Sequence, residues 1–150
     1  MFKESKEIKF WLPTTEYFIE LPLRMQEATV VGYTGEMTHG GRRYDLVFVS
    51  WGSAEPQKTV DQYLLWIDHE TSLLAFVQFT VRDQGKFFKG GMEYGNYHDL
   101  DGVKVPFSLA TKDNLGGDGG PHAFTIHEVH FKPDIDEKLI IPDPSQRSGK

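Results

Sequence analysis

The stretch WIDHETSLLAFVQFT, residues 66–80, decides the fold, because it joins the end of one strand, a tight turn and a second strand. The second strand is apolar on both alternating faces. Leu74 and Phe76 point one way, and the other face takes Leu73, Ala75, Val77, Phe79 and Val81. A small antiparallel sheet usually has one face packed against the core and one face exposed to solvent. We therefore expect this sheet to need a cover on each side.

The pattern around this stretch predicts a mainly β, α+β domain: an antiparallel meander with one short helix. Period-two alternation predicts strands near 28–34, 43–51, 61–68, 72–82, 91–98, 103–111 and 122–131. Asp101-Gly102 is a strong signal for a hairpin turn. Residues 11–27 predict a helix capped by Thr14 or Thr15 and ended or kinked by Pro22. The helix can cover one face of the sheet, and the other can pack on a second sheet, a partner subunit or an apolar ligand.

Composition limits the function classes. The 150 residues suit one domain, with a disordered tail at 141–150. The net charge of -6 and the lack of a basic stripe argue against nucleic-acid binding. The absence of cysteine excludes disulfides and thiol catalysis. No apolar window predicts a membrane span, and the charged N-terminus lacks the apolar core of a signal peptide.

Four stretches in the middle of the chain carry a family resemblance. They are YDLVFVSW (44–51), DQYLLWIDHETSLLAFVQFTV (61–81), YGNYHDLDGVKVPFSLA (94–110) and FTIHEVHFKPDIDE (124–137). Over about residues 11–140 the chain resembles the LolA/LolB-like family of envelope lipoprotein and lipid carriers, and more closely a group of bacterial exported proteins with that fold. Family members are usually longer, so the resemblance implies that this chain is a shortened relative or a fragment without the N-terminal strands.

The resemblance implies a strongly curved antiparallel sheet that forms an open half-barrel over the helix. It also implies a location in the periplasm or cell envelope, and an apolar ligand such as a lipid or a lipoprotein acyl chain in the concave space. The predicted lining comes from strand residues and helix aromatics: Phe18, Leu21, Phe48, Leu65, Phe76, Phe107 and Phe124. The predicted rim is Trp51, Trp66 and Arg82.

Reactive side chains do not form a recognisable catalytic set. His127 and His130 point to opposite faces of a strand, so with His122 they do not predict a metal site. Asp99 and Asp101 suit a hairpin turn, where aspartate bonds to the local backbone. No nucleophile elbow and no phosphate-binding loop is present. We therefore predict no catalytic residue, no metal and no cofactor.

Three functional hypotheses follow. The first is a non-enzymatic protein that binds an apolar ligand in the half-barrel. The second is a structural or interaction module, in which side chains fill the concave space and the open sheet edge pairs with a protein partner or a second copy. The third is an enzyme, which requires two or more of four residues to converge in a pocket: His98, Asp99, His127 and His130. The first hypothesis requires a concave space that is empty of protein side chains, whereas the second requires that side chains fill it.

Overall fold

The structure, a computed structural model, describes residues 6–82 and 89–131, with side chains of the helix described from residue 14 onward. Helix α1 (Lys6–Arg24) continues into a single 3-10 turn (Met25–Glu27). Among the described residues, seven strands follow: β1 (Val30–His39), β2 (Arg42–Ser50), β3 (Gln62–Asp68), β4 (Leu74–Thr80), β5 (Lys89–Leu100), β6 (Val103–Lys112) and β7 (Gly119–Thr125). They form one unclosed antiparallel sheet in chain order, half-barrel-like in form. The predicted fold class and strand succession are confirmed.

Tight turns close three of the hairpins of the sheet. Gly40 and Gly41 join β1 to β2 with φ of 57° and 78°. Asp101 and Gly102 join β5 to β6 with φ of 53° and 86°, as the Asp-Gly signal predicts. Between β3 and β4, the carboxylate of Asp68 accepts hydrogen bonds from the N–H and the hydroxyl of Thr71, both at 2.9 Å. Each turn thus fixes the register of the hairpin that it closes.

Helix α1 begins earlier than predicted and includes Pro22, which was predicted to end or kink it. A proline inside a helix leaves the carbonyl four residues earlier without its usual N–H donor. That carbonyl belongs to Phe18, and it accepts a hydrogen bond of 2.9 Å from the buried Tyr94 hydroxyl of β5. The sheet therefore supplies the donor that Pro22 lacks, which explains why the helix tolerates the proline.

The helix side of the sheet, called here the inner face, carries the main hydrophobic core. Phe18, Leu21 and Met25 of α1 enter this core, and Leu21 is completely buried. The strands contribute Val49, Tyr63, Leu65, Leu74, Val77, Phe79, Met92, Tyr94 and Leu109. An isolated helix of this length with prolines would be marginal in water, so packing against the sheet stabilises α1.

A β-bulge changes the faces predicted for the stretch 73–81. Trp66 pairs with Phe76 and Ile67 with Leu74, so Ala75 is the extra residue. Leu74 therefore packs in the inner core, whereas Phe76 belongs to a second cluster with Tyr44 and Leu115. Leu74 and Phe76 do not share a face, because a bulge inverts the alternation beyond it.

The second cluster defines the outer face of the sheet. Leu115 lies in the loop between β6 and β7 and packs against Tyr44 and Phe76. The N–H of the next residue, Gly116, donates a hydrogen bond of 2.8 Å to Glu93 on β5. The helix thus covers part of the inner face, and this loop covers part of the outer face. The predicted tail at 141–150 lies outside the described residues.

Candidate functional site

Four of the predicted lining residues meet in the inner core. Phe18, Leu21 and Leu65 are buried members of it, and Phe124 packs against its margin. The rings of Phe18 and Phe79 lie 4.7 Å apart, centroid to centroid. The space in front of this part of the sheet is therefore occupied by α1 side chains, and an acyl chain would have to displace them.

The other three predicted lining residues lie elsewhere. Phe76 is completely buried in the outer cluster. Phe107 is buried and stacks on the ring of His98, with centroids 4.0 Å apart and planes at 12°. Phe48 lies half-buried on the outer face. The seven residues therefore do not surround one common cavity.

Phe48 belongs to an open groove on the outer face. Phe48, Leu64 and Gln78 are successive cross-strand partners on β2, β3 and β4, so their side chains form one row. The groove has a volume of about 320 Å³, and its other lining residues are Gln62, Tyr63, Phe79, Thr80, Lys89, Gly90 and Asp113. Its lining combines apolar side chains such as Phe48 and Leu64 with the charged Lys89 and Asp113, which suits a small apolar ligand with a polar end.

The three predicted rim residues lie in different surroundings. Trp51 packs edge-on to Tyr63, with centroids 5.7 Å apart, at the margin of the inner core. The indole N–H of Trp66 donates to Gln78 at 3.3 Å beside the outer cluster. The backbone N–H of Arg82 donates to the Asp61 carboxylate at 2.8 Å. These contacts do not place the three side chains around one opening.

The edge strand β1 exposes apolar side chains. Val31 and Tyr33 are 61% and 63% exposed, and Met37 is 44% exposed. The segment 28–38 contains no lysine, arginine or proline, although it has a bulge between Tyr33 and Gly35. Lysine, arginine and proline are residues that edge strands commonly use to prevent pairing with other chains. The opposite edge strand, β7, contains Pro121. Edge β1 is thus the less protected of the two.

The residues of the enzyme hypothesis have local partners. The Asp99 carboxylate accepts a 2.8 Å hydrogen bond from the N–H of Gly102 and pairs with Lys104 at 2.9 Å. The Lys104 hydrogen bond, the Gly102 N–H and the Lys104 charge lower the pKa of Asp99. His98 stacks on Phe107, whereas His127 and His130 are exposed. None of the four lines the groove, and no described contact joins two of them.

Sequence reasoning did not identify one group of possible metal ligands. Glu36 of β1 and Asp45 of β2 are direct cross-strand partners, and His69 lies just beyond β3. Their ligand atoms all lie within 4.8 Å of one another. The information that would have identified the group is the pairing register of the strands. A turn at Gly40-Gly41 sets the register that places Glu36 opposite Asp45.

Comparison with known proteins does not assign the chain to a family. No protein-family model, no curated protein and no solved structure gives a significant match to the chain. The resemblance to LolA/LolB-like carriers therefore stays a prediction from sequence. Within the described residues, no helix is both long and apolar enough to cross a membrane.

Proposed function

We propose that the protein is a non-enzymatic interaction module in which edge strand β1 pairs with an extended, apolar strand of a partner chain. The observation that carries this proposal is the exposure of Val31 and Tyr33 on β1, whose outer hydrogen-bonding edge pairs with no other strand among the described residues. Strand addition obtains affinity from main-chain hydrogen bonds and specificity from alternate side chains. An exposed valine and tyrosine on β1 provide such contacts for apolar residues of the partner.

The filled inner face supports this function over binding of an acyl chain in the concave space. A carrier needs an internal volume that its ligand can enter, whereas an interaction module keeps its core filled. Phe18, Leu21 and Met25 are all buried in the inner core. Truncation of buried residues of this size costs about 2–5 kcal/mol. Displacement of three such side chains by a ligand would therefore have a high energetic cost.

The test compares wild type with the double variant V31K/Y33K, which places two charges on the edge without changing a buried residue. Val103→Lys is a matched control, because Val103 is an exposed apolar residue in the β5–β6 hairpin. Each protein is used to capture partners from extracts of the source cells, and its self-association is measured by analytical ultracentrifugation. We expect a partner, or a self-associated species, with wild type and V103K that V31K/Y33K loses. Identical partners and mass for all three proteins would refute edge pairing.

The open groove supports a second candidate, the binding of a small apolar ligand or lipid chain. Burial of a chain yields about 0.8 kcal/mol per methylene group, so a shallow site already gives measurable affinity. Native mass spectrometry, followed by organic extraction, detects a lipid that copurifies with the protein. Leu64→Gln, in the groove lining, should abolish its uptake, whereas Val103→Gln should not. Absence of lipid from the wild type, with no uptake of added fatty acid, would exclude this candidate.

A further inference from the structure

We propose that Glu36, Asp45 and His69 form a binding site for a divalent transition-metal ion. The site lies on the face of the sheet that also carries the inner core, toward the end of the β1–β2 hairpin. Glu36 belongs to edge strand β1, whereas Asp45 belongs to β2 and His69 follows β3. All three ligands come from one chain, so ion binding needs no partner chain.

Strand geometry places the three side chains together. Glu36 pairs with Asp45, and Asp45 pairs with Ile67 of β3, so these residues point to one face. His69 follows two residues after Ile67, and its backbone N–H donates to the carbonyl of Arg43 at 3.0 Å. That hydrogen bond fixes the start of the turn against β2. The three side chains therefore extend from backbone that is held by hydrogen bonds between neighbouring segments.

The distances suit a shared ion. His69 Nδ1 lies 2.8 Å from Asp45 Oδ2, and the three ligand atoms are within 4.8 Å of each other. Zinc binds imidazole nitrogen and carboxylate oxygen at about 2.0–2.2 Å, commonly through three protein ligands and a water. Small side-chain rotations would bring all three atoms to such distances. The side chains of Glu36, Asp45 and His69 are 47%, 29% and 38% exposed, so an ion can reach them from solvent.

The charge distribution also favours a cation. Like charges directly opposite each other on adjacent strands are destabilising, and Glu36 and Asp45 are such a pair. The Arg43 guanidinium lies 3.9 Å from the Glu36 carboxylate and is itself half exposed, so it compensates this repulsion only weakly. Imidazole suits zinc, copper, iron and nickel, whereas magnesium and calcium prefer oxygen alone. The mixed ligand set thus selects a transition ion.

The experiment is calorimetric titration of tag-free, chelator-treated protein with Zn²⁺, and with Mg²⁺ for comparison. We expect one Zn²⁺ per chain and much weaker binding of Mg²⁺. Glu36→Gln and His69→Gln each remove one ligand, and each should weaken Zn²⁺ binding by at least about tenfold, the loss typical even of outer-shell partners.

The control variant is E128Q/H130Q, because Glu128 and His130 also form an exposed carboxylate–histidine pair. It should bind Zn²⁺ with wild-type affinity. Circular dichroism verifies that each variant is folded, and nuclear magnetic resonance with Co²⁺ locates the site by the paramagnetic shifts of amides near His69. Lack of saturable Zn²⁺ binding to the wild type would overturn the proposal. Equal affinity of wild type, E36Q and H69Q would also overturn it.

Discussion

At the scale of the residue, two neighbouring glycines of β5 allow aromatic rings to lie directly on the sheet. A methyl group at Gly91 would overlap the ring of Phe76 and lie 2.5 Å from the backbone oxygen of Lys112. A methyl group at Gly90 would lie 2.8 Å from the ring of Phe79 on the other face. We predict that Gly91→Ala lowers the free energy of unfolding by about 1–3 kcal/mol, because the fully buried Phe76 cannot move away without disturbing its cluster. Urea denaturation measures this change.

Gly95 provides the matched control on the same strand. A methyl group there meets no atom within 4 Å. Gly95→Ala should therefore change the unfolding free energy by less than about 1 kcal/mol, and it can stabilise by restricting the unfolded chain. If both substitutions lowered the unfolding free energy equally, the cause would be the loss of backbone freedom in β5 and not the contact with Phe76.

At the scale of the element, a hydrogen bond joins the helix to the sheet at Phe18. Its carbonyl receives no N–H from Pro22 and accepts the Tyr94 hydroxyl instead. Tyr94→Phe removes the hydroxyl that donates to this carbonyl. We predict a loss of about 1–3 kcal/mol in unfolding free energy, the cost of a buried polar group without its partner. Pro22→Ala supplies an N–H four residues after Phe18, so the double variant P22A/Y94F should lose less than Y94F alone. A double-mutant cycle from urea denaturation measures this coupling.

Tyr97→Phe tests the specificity of that coupling. The Tyr97 hydroxyl donates to the Leu74 carbonyl at 2.7 Å, so Y97F also removes a bond from a tyrosine hydroxyl to the backbone. Its effect should add to that of P22A, because no shared group links the two sites. Coupling of P22A to Y97F as large as to Y94F would mean that Pro22 acts through general helix stability.

The same two elements show how far the sequence determines the fold. Period-two patterns and turn residues were sufficient to predict seven strands, because both signals are local. The extent of α1 was not predictable, because the donor that replaces the N–H of Pro22 comes from Tyr94, distant in the sequence. The bulge at Ala75 depends equally on pairing with β3. The grouping of site residues depends on the same non-local pairing: Phe48 and Phe18 lie on different faces, and Glu36 meets His69 only through strand register.

At the scale of the whole molecule, tyrosine hydroxyls connect the helix to the sheet and also connect strand β5 to strand β4. The Tyr17 hydroxyl donates to the Tyr63 hydroxyl at 2.9 Å, and Tyr94 and Tyr97 donate to backbone carbonyls. Burial is the main cause that raises the pKa of all four tyrosines above the usual 10.0. The folded protein thus holds these protons more tightly than the unfolded chain does.

This difference predicts a steep loss of stability in alkali. A group whose pKa is raised by folding stabilises fully below its unfolded pKa, here about 10, and less as the pH rises above it. Each such tyrosine can contribute up to about 1.4 kcal/mol per pH unit. Urea denaturation at several pH values should therefore show the unfolding free energy falling above pH 10, with a smaller slope in the double variant Y63F/Y97F. Absorbance at 295 nm should show these tyrosines ionising together with unfolding. Ionisation of all six tyrosines near pH 10, with the circular dichroism of the folded state intact, would contradict the role assigned to their hydroxyls.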